Sequence, residues 1–552
     1  MEFASTFSEI AAVLALAATL GVVGLFLRQP LIVAFIATGI IAGPDLLGLL
    51  KTADPVILLS EIGVAVLLFL VGLKLDMHIV RSLGAVAAAT GLGQVGFTAI
   101  AGFGICLALG LDPVTSAYIS VALTFSSTII IVKLLSDKRE VDSLHGRIAV
   151  GFLIVQDLVV VIAMVVLSTL GVATSVTGDG PGLGRVVAGS VLGILGVSLF
   201  IRYGAEPLLR RVARVPELLV TFALSWAVLF AAVADFIGVG KELGGLLAGV
   251  SLASTSYREA IASRLSSLRD FLLLFFFVAL GAGMRTGSLG EQLPASIVLS
   301  LFILIGNPLI VMAIMGYMGY RKRTGFLAGL TVAQISEFSL IFVAMGISLG
   351  HLTESALSLV TLVGLVTITV STYMILYSQT LYRWAEPYIG MFERRIQHRE
   401  GAALAATAAS PEVLLFGLGR YGTEIARVLG SHGFRPFGID FDPESVDRWQ
   451  HAGLPGMYGD ATDPDFPGTL PLAGTRWVII AIQPVASALS HDDGRLVLTE
   501  GLRAAGFQGR IAVRGVEGPD AERLRRAGAD VILSPFADAA SRAVEVLGLV
   551  RL

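Results

Sequence analysis

A series of apolar segments along the first 382 residues is the feature that most constrains the fold of this chain. About thirteen can be distinguished, each bounded by charged residues or by glycine and proline. They begin near Phe7, Leu31, Val56, Gly84, Pro113, Ile148, Leu183, Leu218, Leu243, Phe271, Ala295, Gly325 and Ala356. A helix of about 20 apolar residues spans a bilayer. Since 55% of the residues are hydrophobic and 15% are charged, we predict a polytopic α-helical membrane protein.

Composition excludes several classes of partner and processing. The formal net charge is −3 and no basic tract is present, so no nucleic-acid partner is expected. Cys106 is the sole cysteine, which rules out an intrachain disulfide. The first apolar stretch, from about Phe7 to Leu27, is long and lacks a basic leader, so we expect a first span and not a cleaved signal.

One carboxylate lies in the middle of a predicted span. Gln156 and Asp157 interrupt an apolar run from Arg147 to Leu170. At about 1.5 Å per residue, Asp157 lies about 15 Å from Arg147, near the middle of a hydrocarbon core about 30 Å thick. Ionisable groups at that depth are costly and mark ion or proton pathways. The alternative is a protonated or neutralised carboxylate that only holds two helices together.

Two other spans carry polar clusters near their middles. The first cluster consists of Thr124, Ser126, Ser127 and Thr128, and the second of Gln334, Ser336 and Glu337. Polar, breakable segments at corresponding places in two halves are typical of inverted-repeat transporters, which form a site at the bilayer midplane from them. Taken singly, such side chains can equally bond to their own helix backbone. As a pair beside Asp157, they favour a transport site.

Lysines and arginines predict the orientation of the spans. If the N-terminus is outside, about seventeen basic residues fall in inner loops. The outer loops then receive only Lys51, Arg185, Lys241 and Arg285. Because basic loops stay on the cytoplasmic side, we predict a periplasmic N-terminus and a cytoplasmic C-terminal domain.

The composition changes after residue 382. A charged stretch and an alanine-rich linker are followed from Pro411 by the composition of a soluble domain. We therefore expect a transmembrane domain over residues 1–382, a charged helix and linker over 383–410, and an α/β domain over 411–552. The strands of the last region alternate with helical patterns, as in a Rossmann-like doubly wound fold.

A dinucleotide-binding pattern opens this α/β domain. A short strand runs directly into Gly417, Gly419 and Gly422, and the second strand ends in Asp440, eighteen residues beyond Gly422. The glycines would permit a tight turn, close approach of phosphate and close helix packing, in that order. Asp440 would accept a hydrogen bond from a ribose 2′-hydroxyl, which disfavours NADP. The alternative is a degenerate Rossmann fold that binds nothing.

These features together resemble the monovalent cation:proton antiporter-2 family, and within it the Kef-type members, whose membrane domain is fused to an RCK (regulator of potassium conductance) lobe of the TrkA-N type. The most specific motifs are FLVGLKLD from Phe69, FSSTIIIVKLLSD from Phe125, GRIAVGFLIVQD from Gly146, LTVAQISEF from Leu330 and GLGRYG from Gly417. The resemblance covers nearly the full length. It implies an inverted-repeat fold like that of sodium/proton antiporters, a homodimer and the bacterial inner membrane.

The resemblance also implies roles for individual residues. The ion and proton site would contain Asp157, Gln156, Thr124, Ser126, Ser127 and Thr128. The crossing helices would be supported by Gln334, Ser336, Glu337 and Asn307. The nucleotide would be contacted by Gly417, Gly419, Arg420, Gly422, Asp440 and Asp460. The transported ions would be H⁺ and K⁺ or Na⁺, with K⁺ the first expectation and no other metal.

The chain departs from the Kef-type pattern in three places. Many relatives have a lysine where this chain has Asn307, and its absence favours electroneutral, one-for-one exchange. The loop that is acidic and linked to glutathione gating in Kef-type members is basic here, with Arg258, Arg264 and Arg269. The chain also stops soon after the RCK lobe. The last two departures weigh against control by glutathione.

The leading hypothesis is a secondary active transporter and not an enzyme, in which Asp157 holds either a proton or a cation. No companion domain for hydride transfer is evident, so AMP, ATP or NAD(H) would be a regulatory ligand. Because RCK lobes also regulate channels, the alternative is a nucleotide-gated potassium channel or efflux pathway without strict proton coupling. The sequence contains no filter resembling TVGYG. A membrane-anchored nucleotide sensor or oxidoreductase would leave Asp157 unexplained.

Overall fold

The computed structural model describes most of the chain. The described residues are 6–50, 54–74, 85–138, 140–141, 143–175, 199–200, 202–237, 240–284, 289–393, 411–461, 466–470, 472, 474–483 and 493–547. Within them, the part before residue 394 is almost entirely helical, and a six-stranded parallel sheet follows residue 411.

The helices before the sheet follow the predicted apolar segments. They are α1 (Thr6–Phe26), α2 (Leu31–Ala42), α3 (Asp54–Lys74), α4 (Ala85–Ala108), α5 (Pro113–Ala122), α6 (Thr128–Asp137), α7 (Leu144–Ser175), α8 (Ala205–Val212), α9 (Pro216–Ile237), α10 (Lys241–Leu252), α11 (Arg258–Gly283), α12 (Leu289–Leu301), α13 (Asn307–Tyr317), α14 (Lys322–Leu330), α15 (Glu337–Ser348), α16 (Glu354–Leu376) and α17 (Ser378–Ile389). Among the described residues, eight helical stretches are long and apolar enough to cross a bilayer. The predicted segment near Leu183 lies outside the described residues, so the count of thirteen spans stays a prediction.

Two of the predicted spans are interrupted at their polar clusters, as the sequence indicated. The first break, residues 123–127, separates α5 from α6, and the second break, residues 331–336, separates α14 from α15. Helix ends expose N–H and C=O groups that need partners. Ser336 supplies some of them, because it forms a capping box with Ser339 at the start of α15.

A π-helical turn, Phe302–Gly306, joins α12 to α13. Such turns insert an extra residue into an α-helix and occur frequently at functional sites. Asn307 is the residue that follows this turn, and its side chain is fully buried.

Close helix packing explains two glycines of the membrane-type helices. A Cβ atom at Gly249 of α10 would lie 2.0 Å from the carbonyl oxygen of Phe69 in α3. A Cβ atom at Gly281 of α11 would lie 2.2 Å from the carbonyl oxygen of Ile36 in α2. Both glycines are therefore required because the backbones of these helix pairs touch.

The C-terminal domain is a parallel sheet with helical crossovers. Its strands are β1 (Val413–Phe416), β2 (Phe437–Asp440), β3 (Gly456–Tyr458), β4 (Trp477–Ile480), β5 (Arg510–Arg514) and β6 (Val531–Leu533), and its helices are α18 (Arg420–Ser431), α19 (Pro443–His451), α20 (Gly494–Ala504), α21 (Pro519–Arg526) and α22 (Pro535–Val546). The strand order is β3-β2-β1-β4-β5-β6. The order reverses beside β1, so the carboxyl end of β1 lies at the switch point where such sheets bind ligands.

The chain forms two compact units. The first contains Met1–Ile131, Gly151–Val311 and Gly329–Ile375. The second contains Leu376–Leu552 together with Val132–Val150 and Met312–Ala328. The ends of several membrane-type helices therefore belong to the same unit as the parallel sheet.

Candidate functional site

In the first unit, Asp157 and the start of α6 are in direct contact. The hydroxyl Oγ1 of Thr128 donates a 3.0 Å hydrogen bond to Oδ2 of Asp157. Both residues are only partly buried, whereas Gln156 beside them is fully buried. The two sequence clusters around residues 124–128 and 156–157 are thus brought together, as predicted.

Gln156 holds the unwound backbone of the first break. Its Oε1 accepts a 3.1 Å hydrogen bond from the backbone N–H of Ser126. Its Nε2 donates a 2.7 Å hydrogen bond to Oε1 of Gln94 in α4. Gln156 therefore joins α7, the first break and α4 in one polar contact.

Gln94 and Thr98 extend this network and were missed by the sequence reasoning. Gln94 donates to Thr98 at 3.1 Å, and Thr98 donates to Oδ1 of Asn307 at 2.7 Å. Asn307 in turn donates to the carbonyl oxygen of Val332, in the second break, at 3.2 Å. The available signal was spacing, because Thr90, Gln94 and Thr98 recur every four residues on one face of an apolar helix.

The remaining hydroxyls of the first break differ in their hydrogen bonds. The hydroxyl of Thr124 donates to the carbonyl of Val121 at 2.7 Å, and Oγ of Ser127 accepts from the N–H of Ile130 at 3.4 Å. The hydroxyl of Ser126 is buried and has no hydrogen-bond partner among the described residues. These contacts shape the break, while the Ser126 hydroxyl stays available to a bound group.

The two breaks touch each other. Ser339, in the first turn of α15, donates a 2.6 Å hydrogen bond to the carbonyl oxygen of Ala122, the last residue of α5. Oε1 of Gln334 accepts from the hydroxyl of Ser371 at 2.8 Å. Ser336 donates to the buried carboxylate of Glu337 at 3.2 Å. The second cluster therefore supports the crossing of the two interrupted segments.

The contacts of Asp157 and Gln156 bring oxygen-bearing groups of the first break beside α7. A carboxylate, two serine or threonine hydroxyls and the carbonyl oxygens of unwound backbone are ligands that suit hard monovalent cations. The same carboxylate can carry a proton. A carboxylate with such neighbours is able to hold a proton or a cation, which is the minimum chemistry for exchanging one against the other.

In the second unit, the glycine-rich loop adopts the geometry that its spacing predicts. Gly417 has φ +88°, which favours glycine, and a Cβ atom at Gly422 would lie 1.8 Å from the carbonyl oxygen of Gly417. A Cβ atom at Gly419 would meet no other atom within 4 Å. Arg420 begins α18 and is exposed. The helix N-terminus and open space at Gly419 form a ready anion site.

Asp440 ends β2 at the same edge of the sheet. Its carboxylate accepts hydrogen bonds from the N–H of Leu418 at 2.5 Å and of Asp442 at 2.9 Å. Burial raises the pKa of the Asp440 carboxyl, although the hydrogen bonds from Asp442 and Leu418 oppose that rise. The side chain is thereby fixed beside the glycine loop, where a ribose would lie.

Asp460 follows β3 and pairs with a residue outside the sheet. Its Oδ2 accepts a hydrogen bond from the guanidinium of Arg323, in α14. The pair is largely buried, with 6% of the Arg323 side chain and 18% of the Asp460 side chain exposed. Among the predicted nucleotide-contact residues, Asp460 therefore has an additional partner that sequence reasoning did not anticipate.

A cavity of about 820 Å³ joins these groups. Its wall includes the loop Gly417–Gly422 together with Asp440, Asp460, Arg383 and Arg514. This volume lies within the range of about 300–1,000 Å³ that is usual for small-molecule sites. Carboxylates on the β2–β3 side and arginines elsewhere on the wall suit a ligand with ribose hydroxyls and phosphates.

The comparison with known families follows the same division of the chain. The model of the transmembrane sodium/hydrogen exchangers matches residues 12–376, well over half of the chain. The chain belongs to the sodium/hydrogen exchanger family. In this exchanger a TrkA-N domain follows at residues 413–535. The two matches confirm the resemblance to exchangers of the Kef type, with an RCK lobe after the membrane domain.

Relatives of this exchanger carry different names. The glutathione-regulated potassium-efflux system protein KefC of Cronobacter sakazakii is 28% identical, over 90% of this chain and 77% of KefC. The iron transporter MagA of Paramagnetospirillum magneticum is 28% identical, over 73% of this chain and 94% of MagA. The sodium proton antiporter MjNhaP1 of Methanocaldococcus jannaschii has a structure 15% identical in sequence, with a TM-score of 0.45 over 68% of this chain and 99% of that one. Because KefC is named for potassium and MagA for iron, family membership leaves the transported cation open.

Proposed function

We propose that this chain is a monovalent cation:proton antiporter whose exchange site is Asp157. The observation that carries the proposal is the contact of Asp157 with Thr128 beside the first break, where Gln156 binds the backbone of Ser126. A cation bound there would take ligands from Asp157, the free hydroxyl of Ser126 and unwound carbonyls. A proton on Asp157 removes the charge that holds the cation, so the two compete for one site.

K⁺ is the cation that we propose first, with Na⁺ as the other candidate. Support comes from the Kef-type relatives, among them KefC, which is named as a potassium-efflux system protein. Exchange would be electroneutral, one cation for one proton. Asn307 supports this stoichiometry, because it is a neutral residue that bonds Thr98 and the carbonyl of Val332 and brings no lysine charge to the network.

The sheet domain would bind an adenine nucleotide that regulates exchange. The glycine loop offers backbone N–H groups to phosphate, and Asp440 and Asp460 lie on the wall of the same cavity. AMP, ATP and NAD(H) all carry the required groups. The orientation we propose puts the N-terminus in the periplasm of a bacterial cell and the sheet domain in the cytoplasm, where nucleotides are available. We further propose that the transporter acts as a homodimer and is not controlled by glutathione.

The decisive experiment is exchange in proteoliposomes with a pH-sensitive dye. The wild-type protein should move protons when a Rb⁺ or Na⁺ gradient is imposed, and Asp157→Asn should abolish that movement while remaining monodisperse in detergent. Asp235→Asn, which changes an exposed aspartate of α9, is the matched control and should exchange normally. Retained exchange in Asp157→Asn would overturn the proposal.

The same vesicles test the stoichiometry and the cargo. Electroneutral exchange should keep its rate when the membrane potential is clamped at different values. A rate that follows the potential would instead indicate unequal charges. Comparing Rb⁺ with Na⁺, each with and without AMP, ATP or NADH, identifies the cation and the regulatory ligand.

A further inference from the structure

Three consecutive basic residues at the start of α14 lie within the second unit and contact its other segments. The guanidinium of Arg321 lies 5.8 Å from the ring centroid of Phe466, and Lys322 forms a 2.9 Å ion pair with Glu386. Arg323 forms an ion pair with Asp460. A basic loop that only sets membrane orientation needs no specific partner, so these contacts indicate a second role for the triplet.

Arg323 is the most buried of the three and has the most specific surroundings. Besides Asp460, it donates a 3.0 Å hydrogen bond to Oε1 of Gln379, and it lies 5.9 Å from the ring centroid of Tyr382. Gln379 and Tyr382 belong to α17, directly after α16. One guanidinium therefore connects the start of α14, the start of α17 and the end of β3.

The strand order predicts which part of a nucleotide Asp460 would meet. Phosphate binds at the glycine loop after β1, and ribose at Asp440 after β2. The next strand outward is β3, about 4.8 Å further along the sheet. A base attached to that ribose therefore extends toward Asp460, whose carboxylate can accept a hydrogen bond from the exocyclic amino group of adenine.

Asp460 thus belongs to two sites. It lies on the wall of the cavity that contains Gly417 and Asp440, and it binds Arg323. The Arg323 guanidinium binds Oδ2 of Asp460, and an adenine amino group directed at this carboxylate would need the same oxygens. A hydrogen bond from adenine to Asp460 would therefore weaken the Arg323–Asp460 ion pair, and the ion pair would weaken the hydrogen bond.

We propose that an adenine nucleotide and Arg323 compete for Asp460, so that nucleotide binding releases the start of α14. This inference rests on the proposed function, since it specifies how the nucleotide regulates exchange. The released helix leads directly into the second break, where the carbonyl of Val332 binds Asn307. When a nucleotide is bound, the Arg323–Asp460 pair would no longer hold the start of α14, the helix that leads into the second break.

Competition of this kind is reciprocal. If the nucleotide weakens the Arg323–Asp460 pair by some factor, the pair weakens nucleotide binding by the same factor. Removing Arg323 should therefore tighten nucleotide binding, although Arg323 itself carries the charge that would attract phosphate. A role as a phosphate ligand predicts the opposite sign, which makes the direction of the effect diagnostic.

The test uses full-length protein in detergent, with AMP titrated by calorimetry. Arg323→Gln should tighten AMP binding by a factor in the range of about 5–150. Lys322→Gln is the matched control, since its partner Glu386 is not on the cavity wall, and it should leave the affinity unchanged. In proteoliposomes, Arg323→Gln without nucleotide should exchange at the rate of wild type saturated with AMP.

Asp460→Asn supplies an independent measurement. The wild-type protein should bind AMP more tightly than IMP, which has a carbonyl in place of the amino group, and Asp460→Asn should lose that preference. If Arg323→Gln does not yield monodisperse protein, Arg323→Lys keeps the charge, cannot bond Asp460 and Gln379 through a guanidinium, and should tighten AMP binding by a smaller factor.

The outcomes separate this inference from the proposed function. Unchanged or weaker AMP binding in both Arg323 variants, with wild type binding AMP, overturns the competition and leaves nucleotide regulation standing. If wild type binds none of AMP, ATP, NAD⁺ and NADH, the proposed regulation and the competition both fail, while exchange at Asp157 is unaffected.

Discussion

Thr98 donates a 2.7 Å hydrogen bond to the side-chain oxygen of Asn307, 209 residues away in the sequence. Both side chains are fully buried, and Asn307 passes the connection on to the backbone of the second break. This single contact ties α4 to the residue that follows the π-helical turn.

Replacing Thr98 by valine should destabilise the protein. Valine has the same shape but no hydroxyl, so the Asn307 oxygen would lose its donor in a buried site, at a cost of about 1–3 kcal/mol. Thermal unfolding in detergent should show a lower midpoint for Thr98→Val. Thr19→Val is the control, because the exposed Thr19 hydroxyl bonds only to the carbonyl of Ala15 in its own helix. Equal midpoints for the two variants would contradict a stabilising role for the Thr98 contact.

Replacing Thr128 by valine should weaken cation binding. The hydroxyl donates to Asp157, and a hydrogen bond to a charged group contributes about 1.5–3 kcal/mol. We therefore expect the KM for the cation to rise about tenfold or more. Thr128→Ser keeps the hydroxyl and should stay close to wild type. The measurement is the initial rate of proton movement against cation concentration, and a wild-type KM in Thr128→Val would show that the hydroxyl does not serve the site.

Replacing Gly419 by alanine should remove nucleotide binding without unfolding the domain. A methyl group there meets no protein atom within 4 Å, but it occupies the space in front of the loop. Gly422→Ala should instead disrupt the domain, since its methyl would collide with the carbonyl of Gly417. Gly430→Ala, in open space on α18, is the control. The readouts are AMP affinity and the unfolding midpoint, and full affinity in Gly419→Ala would show that phosphate lies elsewhere.

The loop before α7 should make stability depend on acid pH. Burial opposes ionisation of Glu140, but a hydrogen bond from His145 and the charge of Lys138 lower the pKa of its carboxyl from 4.5 to about 2. A lowered pKa stabilises the folded state fully above the unfolded value, and this contribution disappears as pH falls from 4.5 towards 2. Glu140→Gln should therefore unfold at a lower temperature than wild type at pH 7.

The difference between wild type and Glu140→Gln should shrink as the pH is lowered to 3. Glu424→Gln is the control, because Glu424 forms only an exposed pair with Arg427 and should show little difference at any pH. A constant difference from pH 7 to pH 3 would mean that Glu140 stabilises the loop by packing and not by its charge.

Sequence periodicity and spacing predicted which residues meet around the proposed exchange site. Asp157 stood out because a carboxylate in an apolar run is costly, and Thr128 because it belongs to a polar cluster that interrupts another span. Their contact confirms that both features point to one place. The glycine loop was predicted in similar detail. A separate geometric requirement was predicted for each glycine, and the structure shows the requirements expected at Gly417 and Gly422.

Contacts between distant segments were not predictable in the same way. Gln94 lies 62 residues from Gln156, and nothing local to either amide specifies the other. Asp460 was predicted only as a nucleotide contact, on the basis of the family resemblance. Its pairing with Arg323 depends on which helix ends pack beside β3, and that is a property of tertiary structure.

The pairing of Arg323 with Asp460 also has a consequence for biosynthesis. The ribosome adds 137 residues after Arg323 before Asp460 exists, and 295 after Arg147 before its partner Asp442. At about 5–20 residues per second, the first interval lasts on the order of ten seconds. During that time the Arg323 guanidinium lacks its Asp460 partner, whereas in the folded protein only 6% of the Arg323 side chain is exposed. Burial of these charged helix ends therefore has to wait until β2 and β3 have been synthesised.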